Sequence, residues 1–80
     1  MKLQVKYFGM MTDLTNTDQE VLELHAPISI QSLKKTLEEK HNALKGILFQ
    51  IAIDQEIISQ EDHQIKEDAE IALLPAFAGG

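Results

Sequence analysis

Ser29-Ile30-Gln31-Ser32-Leu33-Lys34-Lys35-Thr36-Leu37-Glu38-Glu39-Lys40-His41 is the stretch on which the fold turns. Ile30, Leu33 and Leu37, with His41 as a fourth member, recur at helical spacing, so one stripe faces a core. Pro27 breaks the chain ahead of them, and Ser29 is placed to cap the first turn. The spacing predicts a helix from Ile30 to His41. On its other side Lys34 precedes Glu38 and Lys35 precedes Glu39, cation before anion, the weaker order for pairs one helical turn apart. Those charges mainly solubilise the exposed face.

Outward from the helix the period changes to two. Leu3, Val5 and Tyr7 alternate with Lys2, Gln4 and Lys6, the pattern of a half-buried strand that Gly9 ends. Met10–Leu14 reads as one helical turn and Thr15–Gln19 as a polar loop. Glu20–His25 reads as a second strand on the strength of Leu22 and Leu24. After the helix, Ile47–Asp54 alternates with Phe49, Ile51 and Ile53 inward; Asp54-Gln55-Glu56 turns, and Ile57-Ile58 return. Ile65 falls in a loop, Glu67-Asp68-Ala69 turns, and Glu70–Leu74 is a last strand with Ile71 and Leu73 inward. One helix between an opening strand pair and a later group of strands is an α+β design. The arrangement this order favours is the β-grasp, a mixed sheet with its main helix packed across one face.

With 80 residues there is room for one domain, residues 1–80, in which residues 75–80 form an extended C-terminal tail. The chain has no cysteine, which excludes disulfides, cysteine metal sites and a thiol nucleophile. Its net charge is −6 and all 7 cations are lysines, which disfavours nucleic acid and anionic membrane as partners. No run approaches the ~20 apolar residues of a membrane span, so a soluble, cytoplasmic protein is expected.

Little in the body of the chain points to catalysis. His25, His41 and His63 lack the paired spacing of a zinc motif and read as surface or helix-end residues. Glu38-Glu39, Glu61-Asp62 and Glu67-Asp68 fall on a polar helix face or in turns, where carboxylates stay solvated and untuned. Asp54 and Glu56 have the oxygens to grip a divalent cation but no calcium-loop spacing around them, and no metal site is expected. An active site of its own is therefore not expected.

The C-terminus is different. The last strand runs into Leu74-Pro75-Ala76-Phe77-Ala78-Gly79-Gly80. Pro75 has no N–H to donate and is expected to end the ladder. Two terminal glycines, lacking Cβ, let backbone enter a channel too narrow for side chains. An α-carboxyl with a pKa of about 3.3–3.7 is ionised at neutral pH and is a poor acyl donor. Adenylation with ATP would make it reactive toward sulfide or an amine. Phe77, an aromatic among small residues, has the character of a partner anchor. Strand parity adds a surface: Phe8 lies on the side of Lys2, Gln4 and Lys6, and Leu74 opposite Ile71 and Leu73. If the two strands are neighbours, Phe8 and Leu74, with Ile57, make an apolar docking patch beside the tail.

Val5-Lys6-Tyr7-Phe8-Gly9, the Ile30/Leu33/Leu37 helix, Ile51-Ala52-Ile53-Asp54 and Glu70-Ile71-Ala72-Leu73-Leu74-Pro75 with the terminal Gly79-Gly80 resemble the small-subunit family of molybdopterin synthase (the MoaD family of ubiquitin-like sulfur carriers). The resemblance implies a β-grasp fold with no bound cofactor. It also implies two partners: an ATP-using adenylating enzyme (MoeB-like) and the synthase large subunit (MoaE-like). Gly80 would carry the adenylate and then the thiocarboxylate, and sulfur would pass to cyclic pyranopterin monophosphate in molybdenum cofactor biosynthesis. By the same carry-over Ala76, Phe77, Ala78 and Gly79 thread the partner's channel after Pro75, and Phe8, Ile57 and Leu74 form the docking face. The chain departs from the family at Ala76, where a second proline is usual, at Met10-Met11-Thr12, where many members have an arginine, and at Ala69, usually glycine. Rival readings are a thiamine-type sulfur carrier, a ubiquitin-like protein modifier and a plain β-grasp interaction module.

Overall fold

Leu3, Val5 and Tyr7 do point inward, and their strand lies near the middle of a five-stranded sheet. The computed structural model describes residues 1–76. In chain order the elements are β1 (Lys2–Tyr7), α1 (Met10–Thr15), β2 (Gln19–Glu23), β3 (Ile28–Ser29), α2 (Ile30–Lys40), a 3-10 turn (Asn42–Leu44), β4 (Phe49–Ile53), β5 (Glu56–Ile58), β6 (Gln64–Ile65) and β7 (Ala69–Pro75). The sheet order is β2-β1-β7-β4-β5. β1 and β7 run parallel and every other pair in that sheet is antiparallel. This is the mixed sheet of a β-grasp, with the helix set between its two halves in sequence.

The helix stripe behaves as its spacing predicts. Ile30, Leu33 and Leu37 are fully buried and join Leu3, Val5, Ile51, Ile71 and Leu73 in one core. The Ser29 hydroxyl accepts from the Ser32 N–H at 3.1 Å, capping the first turn. The helix stops at Lys40, and His41 is its extended C-cap, donating its N–H to Leu37 O at 2.8 Å. Lys34 pairs at 3.0 Å with Glu61 in the loop before β6, rather than one turn along with Glu38.

Several regions differ from the sequence reading: β2 runs Gln19–Glu23 instead of Glu20–His25 and β4 Phe49–Ile53 instead of Ile47–Asp54. The turn at Met10 grows into α1, which buries Met11 and Thr15 and ends at Asn16 in the left-handed region (φ 60°). Ile65 is 4% exposed rather than a loop residue, because Ile28-Ser29 and Gln64-Ile65 form a second, two-residue ladder. β7 spans Ala69–Pro75 instead of Glu70–Leu74. Pro75 sits opposite Phe49, and the next donor along, the Ala76 N–H, bonds Leu48 O at 3.2 Å. Proline is tolerated here because the β1–β7 pairing ends at Tyr7 and Leu73, so the missing N–H of Pro75 falls on a side of β7 that has no partner.

The β4–β5 hairpin turns through Asp54 and Gln55, both at positive φ (49° and 74°), as in a type I′ turn. Left-handed backbone costs a residue with a Cβ roughly 1–2 kcal/mol, and glycine's extra unfolded-state freedom offsets about half of that. Gln55→Gly is therefore expected to stabilise by about 0.5 kcal/mol, raising the melting temperature by roughly 2–4 °C in a calorimetric scan.

Candidate functional site

Parallel pairing of β1 with β7 brings the ends of both strands to one edge of the molecule. Tyr7 is paired with Leu73, so Phe8 comes next to Leu74, and the Phe8 N–H donates to Leu73 O at 3.2 Å. Both side chains lie on the sheet face away from α2. Phe8 is 46% exposed and Leu74 half-buried. Ile57, 50% exposed, shares that face but stands two strands from β7, joined to it through the row Ile57–Ala52–Ala72. The patch is thus a Phe8–Leu74 pair with Ile57 as an outlier across two alanines. Pro75 and Ala76 are half-buried at its border; Phe77, Ala78, Gly79 and Gly80 lie outside the described residues.

The same face changes character along its length. Along β1 it is ionic as far as Lys6: Lys2 pairs with Glu23 at 3.8 Å and Lys6, two residues before Phe8, with Glu70 at 3.1 Å. Past Lys6, at Phe8 and Leu74, it is apolar.

Gly9 fixes that edge. Its backbone (φ 58°, ψ −134°) lies where only glycine is at ease, and an added Cβ would stand 3.4 Å from Pro75 Cγ. Gly9 thereby lets the chain turn from β1 into α1 directly against the root of the tail. Gly9→Ala is expected to cost about 1–2 kcal/mol in chemical denaturation and to move the Ala76 amide resonance.

Sequence reading missed a polar cluster under the sheet. Glu20 accepts from the Tyr7 hydroxyl, from Lys40 Nζ at 2.7 Å and from His41 Nε2 at 2.5 Å. The Tyr7 and His41 rings meet edge to face with centroids 5.7 Å apart. Burial opposes ionisation of Glu20, but the hydrogen bonds from Lys40, Tyr7 and His41 prevail and hold its carboxyl at about 2. Burial, reinforced by the hydrogen bond to Glu20 and its charge, pushes the Tyr7 phenol well above its ordinary range. A carboxylate so firmly ionised is a poor proton acceptor at neutral pH, so this cluster clasps α2 to β1 and β2 rather than catalysing. Asp54 is also taken up structurally, its carboxylate accepting from the Glu70 N–H at 3.0 Å. Among the described residues no three His, Asp or Glu side chains gather as metal ligands. None of their helices is long and apolar enough to cross a membrane.

Residues 5–80 match the ThiS family. The chain belongs to that family. It is 29% identical to the molybdopterin synthase sulfur carrier subunit of Caenorhabditis briggsae, with 100% of this chain and 99% of that one covered. Among solved structures it resembles a putative molybdopterin converting factor subunit 1 from Pyrococcus furiosus (TM-score 0.85, 22% identity, covering 94% and 97% of the two chains). It also resembles a chain in the complex of subunits 1 and 2 of the molybdopterin-converting factor from Helicobacter pylori (TM-score 0.69, 26% identity, 100% of both chains). The ThiS-family likeness runs through β1, the sheet and the tail, and so takes in the Phe8–Leu74 edge.

Proposed function

We propose that this ThiS-family chain is the sulfur carrier subunit of a molybdopterin synthase, a small subunit with no active site of its own. The observation that carries the reading is the placement of the exposed Phe8–Leu74 patch at the root of a tail ending in Gly79-Gly80. The names of the relatives in Caenorhabditis briggsae and Helicobacter pylori support it. The chemistry follows from a free carboxylate. The Gly80 carboxylate attacks the α-phosphate of ATP in an adenylating partner, releasing pyrophosphate and leaving an acyl adenylate. A sulfur nucleophile at the sulfide level then displaces AMP, which leaves a thiocarboxylate. The tail, small at Ala78, Gly79 and Gly80, enters the synthase large subunit and delivers sulfur to cyclic pyranopterin monophosphate. The carrier binds no cofactor; ATP is used by the partner.

The test is intact-mass analysis of the chain after incubation with ATP, sulfide and an adenylating enzyme. A mass change equal to one oxygen replaced by sulfur at Gly80 is expected, together with co-purification of a synthase large subunit. A chain that stays unmodified beside an active enzyme, or that is found joined to lysines of other proteins, would overturn the reading.

A further inference from the structure

The five-stranded sheet has two open edges, β2 and β5. On β5 the hairpin turns Glu56 and Ile58 toward β4, so only Ile57 directs its backbone groups outward. On β2 the ends set the alternation. The Met1 amino group donates to Leu24 O at 2.6 Å, the Leu24 N–H to Met1 O at 2.9 Å, and the Tyr7 N–H to Asp18 O at 2.9 Å. Asp18, Glu20, Leu22 and Leu24 therefore turn their backbone groups to β1, while Gln19, Val21 and Glu23 turn theirs outward. Gln19 is closed off by its own loop: Thr17 Oγ1 donates to Gln19 O at 2.9 Å and accepts from its N–H at 3.4 Å. Among the described residues nothing bonds the outward N–H and C=O of Val21 or Glu23. The Val21 side chain stands 51% exposed beside them.

An open edge that offers donors and acceptors together takes on a further strand. The positions of the free groups select which strand. Two residues, two apart, are matched by the same two residues running the other way. About a two-fold axis through Leu22, Val21 of one copy lies opposite Glu23 of the other. Each of these two pairs exchanges two bonds, and every free group is used. An axis through Val21 would instead set Glu23 against Gln19, whose groups Thr17 already holds. About Leu22, the two copies of that residue face each other as a closely spaced apolar pair at the margin of the core, and no carboxylate stands directly opposite another. Leu22 pairs with Leu3, at the other end of β1 from Phe8, so this contact leaves the Phe8–Leu74 edge open in both copies.

We infer that β2 is a self-association edge, at which two copies of this chain pair antiparallel through Val21 and Glu23 and join their five-stranded sheets into one. The contact is small, so the dissociation constant is expected at ~0.1–1 mM. Each copy carries a net charge of −6, and salt should strengthen the dimer by screening that repulsion. The dimer does not depend on the sulfur-carrier reading, and it presents two tails at once.

Sedimentation equilibrium and amide NMR over a dilution from about 1 mM to about 20 µM test this on the full chain. Val21→Pro removes an outward N–H and sets its ring in the partner's path, while the ladder to β1, which does not use that N–H, is kept. It is expected to weaken association at least about tenfold, whereas Val21→Thr and Phe8→Gln associate like the wild type. Concentration-dependent amide shifts are expected to centre on Val21 and Glu23. A wild type that stays monomeric throughout, a Val21→Pro chain that associates as the wild type does, or association that falls with added salt would overturn the inference. Shifts centred on Phe8 and Leu74, with association lost in Phe8→Gln, would overturn it in favour of contact through the outer face. Should Val21→Pro not fold, the wild type decides by itself: hydrogen exchange at the Val21 and Glu23 amides is expected to slow by at least about twofold at the highest concentration, and unchanged exchange there overturns the pairing.

Discussion

A chain shortened by one residue, ending at Gly79, is expected to lose sulfur incorporation by at least about a hundredfold while keeping the wild-type melting temperature. The shortened tail still ends in a glycine carboxylate with the same pKa and the same lack of a Cβ, so the intrinsic chemistry of the acyl group is unchanged. Its reach is not. Removing one residue withdraws the carboxylate by up to about 3.6 Å, and misplacement of a reacting atom by 1 Å can cost roughly a hundredfold. The tail cannot slide outward to compensate, because Ala76 is held to Leu48 and Pro75 packs near Gly9. Stability should be untouched because the buried core runs from Leu3 to Leu73. Thiocarboxylate yield by intact mass, read beside a thermal melt, checks both halves. Substantial thiocarboxylate on the shortened chain would mean that reach from a fixed root is not what positions the acyl group. Gly79→Val separates reach from width: it keeps the length, adds a branched side chain, and should also fail if the channel admits backbone only.

Elements whose residues repeat at a fixed period were legible in the sequence, because burial on one face leaves a trace in every turn or every second residue. The stripe Ile30, Leu33, Leu37 and the alternation Leu3, Val5, Tyr7 are of this kind, and both are buried where the period puts them. Parity also put Phe8 and Leu74 on the outer face, although their adjacency needed the β1–β7 pairing that chain order alone does not supply. Ile65 was illegible because a two-residue ladder has no period; its burial depends on Ile28, far away in sequence. Leu48 shows the opposite limit. Its position beside inward Phe49 marks it as outward, but only the fold brings it to the tail root beside Met10. Glu20 was missed for the same reason, since His41 lies 21 residues away and no local pattern joins them.

Glu20→Ala is expected to destabilise the folded chain by about 3 kcal/mol at neutral pH, lowering the melting temperature by roughly 12 °C or more. The loss is larger than that of one exposed ion pair because the Glu20 side chain is only 15% exposed and serves three donors. Without it the buried Tyr7 hydroxyl loses its acceptor, and Lys40 and His41 lose the charge that holds the end of α2 against β2. Glu20→Gln should fall in between, since one amide oxygen can accept from some of these donors but carries no charge. The pH dependence has a definite sign. The Glu20 carboxyl is lowered from its ordinary 4.5 to about 2 on folding, so its contribution is complete above about pH 5 and is lost as pH falls toward 2. The stability gap between wild type and Glu20→Ala should therefore be widest near neutrality and close progressively in acid, measured by denaturant unfolding at a series of pH values. A gap that stays constant from neutrality to pH 2 would mean that shape and packing at Glu20, and not its charge, hold α2 to the sheet.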